Sequence, residues 1–394
     1  MTHHLNHSHK QHSQQDNSQG FLESFLTTLR SIFTDKGVIL MLVIAPIIYG
    51  FFYPWPYNDQ IIVDIPVGIV DYDNSKLSHT IMRYSSSSPR LEIKTFDNEQ
   101  AAKEALWNYQ IAGYLVIPPE LEKNVYSGRP AHVSILGNGG YFILNKYVQT
   151  GFTQAVATVS AGIEVKRHVA HGERIEHAKT NTQAVPLRID PLYNPIESYG
   201  VYIVPAVAIL ILQQTLLMGT AMLIGTWAEK RQQYASLLGW LGRICALSFI
   251  GIVIGAFYFG WIFNFQGYPR GHNPIGAMVF LVIFTFAVSA LGCLLGLWFR
   301  QRERSLQILI FSSLPIFFLS GYPWPTQQLP EALQYLRWVI PTSSGMNASV
   351  QLNQMGASLV QVSHYLYALA LLFIVYFSLL IIVDKRQKRK LHSP

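Results

Sequence analysis

The chain has 394 residues, 50% hydrophobic and only 13% charged, against about one quarter charged in ordinary soluble domains; this excludes an ordinary soluble protein and points to the membrane. The formal net charge of +7 does not mark a nucleic-acid partner, because the basic residues are dispersed among short segments and leave no basic patch. Only two cysteines occur, Cys245 and Cys293, both inside apolar runs, so neither a disulfide framework nor a cysteine-based zinc site is available.

In chain order, residues 1–19 form a His-rich, low-complexity tail expected to be disordered, since it has almost no apolar residues for a core. His3, His4, His7, His9 and His12 could hold a metal ion loosely, but a polar tail is the better reading. Over 20–36, Phe21, Leu22, Phe25, Leu26, Leu29, Ile32 and Phe33 recur on one helix face, which predicts an amphipathic helix in the inner interface plane. Six apolar stretches are candidate membrane spans: 37–54, 200–227, 244–264, 274–298, 305–321 and 362–383. The fifth is the shortest and holds Ser312, Ser313 and Pro315. The first has no small-residue cleavage site after it and reads as a retained signal anchor.

Between the first two spans, residues 55–198 are long enough for a separate domain. "IIVDIPVGIV", "RLEIKTF", "AGYLVIP" and "AHVSILG" read as strands, "KLSHTIMRY" and "NEQAAKEALWNY" as helices, the latter opened by Asp97 with Gln100 in capping-box spacing. The alternation predicts a mixed sheet with helices packed on it. A long helix is expected over about 141–179, then an extended return through "VPLRIDPLYNP". The fold class is therefore an α-helical polytopic membrane protein with six transmembrane helices and an inserted α/β extracytoplasmic domain.

Few motifs carry chemistry. No glycine is followed by lysine, so the chain has no P-loop and any ATP use belongs to a partner. His168 and His171, one helical turn apart with His177 beyond, are the best metal candidates. They lack a third ligand on that face, and a solvated helix is the better reading. No metal, cofactor or catalytic constellation is expected.

The remaining signals lie in the membrane region, 199–383. Gly251/Gly255 and Gly292/Gly296 are small-residue pairs that let helices approach closely. Gln213, Gln214 and Thr215 sit mid-span, where polar side chains avoid lipid and face either a helix interface or a transport path. Residues 228–241 read as an interfacial helix, with Glu229, Lys230 and Arg231 ahead of Leu237, Leu238, Trp240 and Leu241, serving as a plain anchor or as a docking surface. "FLSGYPWPTQQLPEALQYLRWVIPTSSGMNAS" is too interrupted to cross a bilayer, so 322–349 is expected to be re-entrant or to lie on the outer interface.

Tyr-Pro-Trp-Pro occurs twice, at 53–56 and 322–325, each time at the outer end of a span. Proline stops each helix, and the aromatic rings suit the headgroup layer. The second copy turns back toward the membrane, which makes Tyr322, Pro323, Trp324 and Pro325 the candidate outer gate.

With six spans and both termini inside, the inner segments, including the basic tail 384–394, hold 14 Lys+Arg against 6 Asp+Glu. Residues 55–198 hold 13 against 15. This is the positive-inside pattern, and the reversed topology would place the whole excess outside.

Taken in order, "RSIFTDKGVILMLVIAPIIYG", "VGIVDYDNSKLS", "AGYLVIPPELEKNVYSGRPAHVSIL" and "FLSGYPWPTQQLPEALQYLRWVIPTSS" resemble the recurring elements of the permease subunit of ABC-2 type ABC exporters, over about 20–385. The subgroup is the bacterial one with a large extracytoplasmic domain after the first span. The resemblance implies a multi-pass protein of the bacterial cytoplasmic (inner) membrane with both termini cytoplasmic. It implies pairing with a second permease, as homodimer or paralogue heterodimer, and with cytoplasmic ABC ATPase subunits that use ATP and Mg, often beside a periplasmic adaptor. Residues 20–36 would be the connecting helix and 228–241 the coupling helix, with Glu229, Lys230 and Arg231 as its charged cluster. In this chain Gln233-Tyr234 stands where the family usually has Gly-Thr. The expected function is efflux of an amphipathic or drug-like substrate by alternating access, with no catalytic residue in this chain. The rival reading is a membrane receptor or envelope scaffold whose outer domain binds without transport.

Overall fold

The computed structural model describes residues 20–58, 62–182 and 191–392; the expected disordered tail 1–19 and part of the expected return 185–195 lie outside them. The chain divides into two compact units, one of 61–190 and one formed by the residues on either side.

The smaller unit is built on β1 (Ile65–Asp71), β2 (Leu91–Phe96), β3 (Gly113–Ile117) and β4 (Ser134–Gly137), in the order β2-β1-β3-β4. β1 runs parallel to both β2 and β3, and β4 antiparallel to β3. Side chains alternate across the sheet. Ile65, Val67, Ile69, Leu115 and Ile117 enter a core with α3 (Lys76–Ser86) and α6 (Phe142–Ala170). On the opposite face Val70 and Tyr114 meet Ala102 and Ala105 of α4 (Glu99–Trp107).

The capping differs from expectation in one place. Asn98, not Asp97, caps α4, accepting from the Ala101 amide at 2.8 Å. Ser75 and Ser78 form the capping box of α3. A short helix not foreseen, α5 (Leu121–Tyr126), follows β3. The expected helix 141–179 is interrupted at 171–174, where Gly172 takes φ +90, and resumes as α7 (Ile175–Thr182).

In the larger unit α1 (Phe21–Thr34) packs on the start of α9 (Leu237–Phe265) through Ser24, Thr28 and Ile32. The approach is so close that a Cβ on Gly242 would lie 2.3 Å from the Phe21 carbonyl oxygen. Small residues take the protein-facing side, while Leu22, Leu26 and Phe33 remain exposed.

Five helices are long and apolar enough to span a membrane: α2 (Lys36–Tyr57), α8 (Tyr199–Glu229), α9, α10 (Pro274–Phe299) and α14 (Ser363–His392, apolar over its first part). The chain is thus a multi-pass membrane protein by its apolar helices. The expected fifth span is a helix, α11 (Arg302–Leu319), but its 18 residues open on Arg302-Glu303-Arg304 and leave too short an apolar stretch to reach the ~20 residues of a self-sufficient span. α8 is apolar all round and buried along most of its length. Gly292 and Gly296 of α10 admit Thr220 and Ile224 of α8, and Gly255 of α9 admits Leu281 of α10.

Two π-helical turns, Leu40–Ile44 in α2 and Tyr258–Ile262 in α9, lie where these helices meet. There the Tyr258 hydroxyl donates to the Pro46 carbonyl at 2.6 Å. The smaller unit begins at 61 rather than 55, and ends at 190 rather than 198, because Tyr57 packs on Tyr199 within the helical unit.

The 228–241 segment is not one helix. α8 ends at Glu229, Arg231 takes φ +60, residues 232–236 are not helical, and α9 begins at Leu237 under a Ser236 cap. Over 322–349 the chain forms a turn at 326–328, α12 (Glu331–Leu336), a second turn at 337–339, and α13 (Pro341–Asn353).

Candidate functional site

The helices alternate in direction, so the expected site residues fall at two ends and in the middle of the helical unit. At the end bearing the starts of α2 and α11, Arg302 forms a bidentate pair with Asp35, Nη1 to Oδ2 at 2.5 Å and Nη2 to Oδ1 at 2.7 Å. The guanidinium also donates to Thr226 Oγ1 at 3.2 Å, and the Arg302 backbone amide donates to Glu229 Oε1 at 3.0 Å. Asp35 Oδ1 additionally caps α2 by accepting from the Gly37 and Val38 amides. Gly37 leaves room for the guanidinium, because a Cβ there would lie 2.1 Å from Arg302 Nη2 and displace it from this position. The hydrogen-bonded Arg302 guanidinium holds the Asp35 carboxyl down at about 2, against the opposing effect of burial. Glu229 therefore joins α8 to the first turn of α11, while Lys230 and Arg231 are exposed.

A second clamp grips the link between α8 and α9. Arg243, 4% exposed, lies 4.6 Å from the Trp227 ring and 4.8 Å from the Trp240 ring, and its Nη1 donates to the Gln233 carbonyl at 2.6 Å. From α14, Lys388 donates to the Ala235 carbonyl at 2.8 Å and pairs with buried Asp384 at 2.9 Å. The link is thus fastened by a buried cation from one helix and by an ion pair from another, with Leu237 and Leu238 exposed beside it.

Midway along α8, Gln213 and Gln214 are 0% and 5% exposed, and none of their four amide atoms has a hydrogen-bond partner among the described residues. Thr215 is satisfied locally by the Ile211 carbonyl at 2.8 Å. α13 packs on α8 one turn away, where a Cβ on Gly345 would lie 3.3 Å from Ile209. Its first turn buries Thr342, Ser343 and Ser344, whose hydroxyls are also unpartnered among the described residues. Buried polar groups without partners cost about 1–3 kcal/mol each, so this cluster lowers the stability of the helical unit.

At the opposite end the two Tyr-Pro-Trp-Pro copies are joined by five tyrosines. Ring centroids run Tyr53 to Tyr57 at 5.9 Å, Tyr57 to Tyr199 at 5.9 Å, Tyr199 to Tyr202 at 6.0 Å and Tyr202 to Tyr322 at 4.8 Å. Pro54 is buried, whereas Trp55, Trp324 and Pro325 are exposed. Tyr322 follows Gly321, whose φ of +77 makes the turn. Asn347 of α13 donates to the Ser320 carbonyl at 3.2 Å and ties the turn to that helix.

In the smaller unit His168 Nδ1 lies 3.0 Å from Glu173 Oε1, and His171 Nδ1 lies 2.7 Å from the Arg167 carbonyl oxygen. Among the described residues no group of three or more His, Cys, Asp or Glu is placed to hold a metal ion.

Sequence reasoning placed Glu229, Gln213 and Tyr322 but missed Asp35, Arg302, Arg243, Asp384 and Tyr202. A signal existed for Asp384, a lone carboxylate between an apolar run and a basic tail, where an unpaired charge is costly. The Arg302 pairing joins residues 267 positions apart, beyond the reach of any local pattern.

One family model, described as "ABC-2 family transporter protein", matches residues 36–382. No curated protein matches the chain.

Proposed function

Because the chain belongs to the ABC-2 family of transporter proteins, we propose that it is the permease subunit of an ATP-driven exporter that carries an amphipathic substrate by alternating access. The observation that carries this reading is that one helix, the 31-residue α8, bears the Tyr199 and Tyr202 contacts at one end, unpartnered Gln213 and Gln214 in the middle, and Thr226, Trp227 and Glu229 at the other. A rigid element of this kind can relay a movement of the clamped link to the tyrosine end. The buried amides would gain partners when the path fills with water or cargo.

In this reading α11 completes six spans. Its Ile310, Phe311, Leu314 and Phe318 are exposed, as suits lipid or a second permease, and the three charges of its first turn lie at the headgroups. Both termini are then cytoplasmic and the α/β unit is extracytoplasmic, in the bacterial inner membrane. The cytoplasmic partner is an ABC ATPase that binds ATP and Mg and docks on exposed Lys230, Arg231, Leu237 and Leu238. Residues 20–34 act as the connecting helix, and 322–349 lies at the outer face with Tyr322 to Pro325 as its gate. A second permease, and in the envelope an adaptor, complete the assembly.

The test is copurification with, and stimulation of, the ATPase encoded beside the chain. The proposal predicts a stable complex whose ATPase rate changes with substrate. Failure of the intact chain to bind or stimulate that ATPase contradicts it.

A further inference from the structure

The loop joining α9 to α10 closes over a cavity of about 330 Å³, within the ~300–1,000 Å³ range of small-molecule sites. Its apolar wall is made by Phe259, Phe263 and Met278, and its polar rim by Arg270, His272 and Asn273. The rim is held in place. The Gly271 amide donates to the Asn353 carbonyl at 2.5 Å, Asn273 Nδ2 donates to the Ala357 carbonyl at 2.7 Å, and Asn273 Oδ1 accepts from the Gly276 amide at 3.0 Å. A Cβ on Gly271 would lie 2.1 Å from the Gly356 amide nitrogen, so the loop backbone sits directly on the end of α13.

The charge of this rim is one-sided. Arg270 makes a single long contact, 3.5 Å to the Gly260 carbonyl, and pairs with no carboxylate among the described residues. Among the described residues no aspartate or glutamate lines the cavity. Close in sequence to the lining residues, Trp261, Phe265 and Ile275 are 60%, 71% and 74% exposed, as expected of side chains that meet lipid rather than water.

From these features we infer that the cavity binds an anionic amphiphile, its phosphate or carboxylate at Arg270 and His272 and its hydrocarbon against Phe259, Phe263 and Met278. Guanidinium groups favour such oxyanions because their donors match the acceptor geometry. The chemistry is shared by an anionic bilayer lipid and by a single-chain anion taken as cargo. The inference does not depend on the transport reading.

The test uses the full chain in neutral detergent, titrated with phosphatidylglycerol, phosphatidylcholine, dodecyl phosphate and inorganic phosphate, with bound ligand read by native mass spectrometry. Phosphatidylglycerol and dodecyl phosphate should bind at least about tenfold more tightly than phosphatidylcholine and inorganic phosphate, the scale of one charge-assisted hydrogen bond. Arg270→Gln, a change at an exposed side chain, should erase the preference for the anion with an unchanged melting temperature. Met278→Trp should weaken both anionic amphiphiles by filling the wall. Tighter binding of phosphatidylglycerol than of dodecyl phosphate assigns the site to bilayer lipid, and the reverse order to single-chain cargo. Equal binding of phosphatidylglycerol and phosphatidylcholine, a preference that survives Arg270→Gln, or inorganic phosphate binding as tightly as dodecyl phosphate would overturn the inference.

Discussion

Tyr202 and Tyr322 hold each other reciprocally: each hydroxyl donates to the other residue's backbone carbonyl at 2.5 Å, with the rings stacked 4.8 Å apart at 19°. The pair closes α8 onto the Tyr-Pro-Trp-Pro turn across 120 residues of sequence. Burial, with Tyr202 beside it, pushes the Tyr322 hydroxyl above its ordinary value and keeps it a donor. Because the two bonds share one geometry, their loss is not additive. Tyr202→Phe and Tyr322→Phe should each cost about 0.5–1.5 kcal/mol, and the double variant should cost less than the sum, as a double-mutant cycle of thermal melts would show. If this contact is the outer gate, the double variant also transports with altered rate, whereas Trp324→Ala with unchanged transport reduces the exposed tryptophan to an interfacial anchor.

The Asp35–Arg302 pair carries a pH signature. The Asp35 carboxyl lies at about 2, below its ordinary 3.8. A depressed folded-state value contributes stability that is fully present above the unfolded value and is lost as pH falls through the folded one. Asp35→Asn should therefore destabilise the protein at pH 7 by about 1–2 kcal/mol, allowing for solvent screening, and lower its melting temperature accordingly. The gap between wild type and variant should close as pH drops from about 4 toward 2. A gap independent of pH would show that the carboxylate charge is not what holds α2 to α11.

Arg243 between Trp227 and Trp240 makes the link's anchor a matter of shape as well as charge. Arg243→Lys keeps the charge but loses the planar stacking and the aimed donor, so it should destabilise by about 1–2 kcal/mol. In the assembled transporter it should uncouple ATP hydrolysis from transport, raising ATP consumed per substrate moved. Lys230→Gln with Arg231→Gln should instead weaken ATPase binding with little change in melting temperature, since both side chains are exposed.

The parts of the fold legible in sequence were those set by local periodicity. The four strands announced themselves by β-branched runs bounded by turns, and the long spans by charge-free stretches. The 228–241 segment misled because its Leu237, Leu238, Trp240 and Leu241 spacing is helical, while the break at Arg231 depends on a left-handed residue and on Arg243 and Lys388 pulling the link inward. On α1 the apolar stripe is legible as a face for the membrane interface, and Leu22, Leu26 and Phe33 stay exposed; nothing local indicates that the other side packs on Gly239 and Gly242 through Ser24 and Thr28. The tyrosine chain was half visible: the repeated motif supplied Tyr53 and Tyr322, but nothing local indicates that Tyr57, Tyr199 and Tyr202 bridge them.

In the transport reading, α8 keeps the Gln213 and Gln214 amides buried at a cost in stability. The direct measurement is the melting temperature of the Gln213→Leu, Gln214→Leu double variant alongside its transport in the assembled complex. Removing unpartnered buried amides should raise stability by about 1–3 kcal/mol per site while transport falls by an order of magnitude or more. A double variant that transports like wild type, or that melts lower with transport intact, would contradict the claim that these residues line the path.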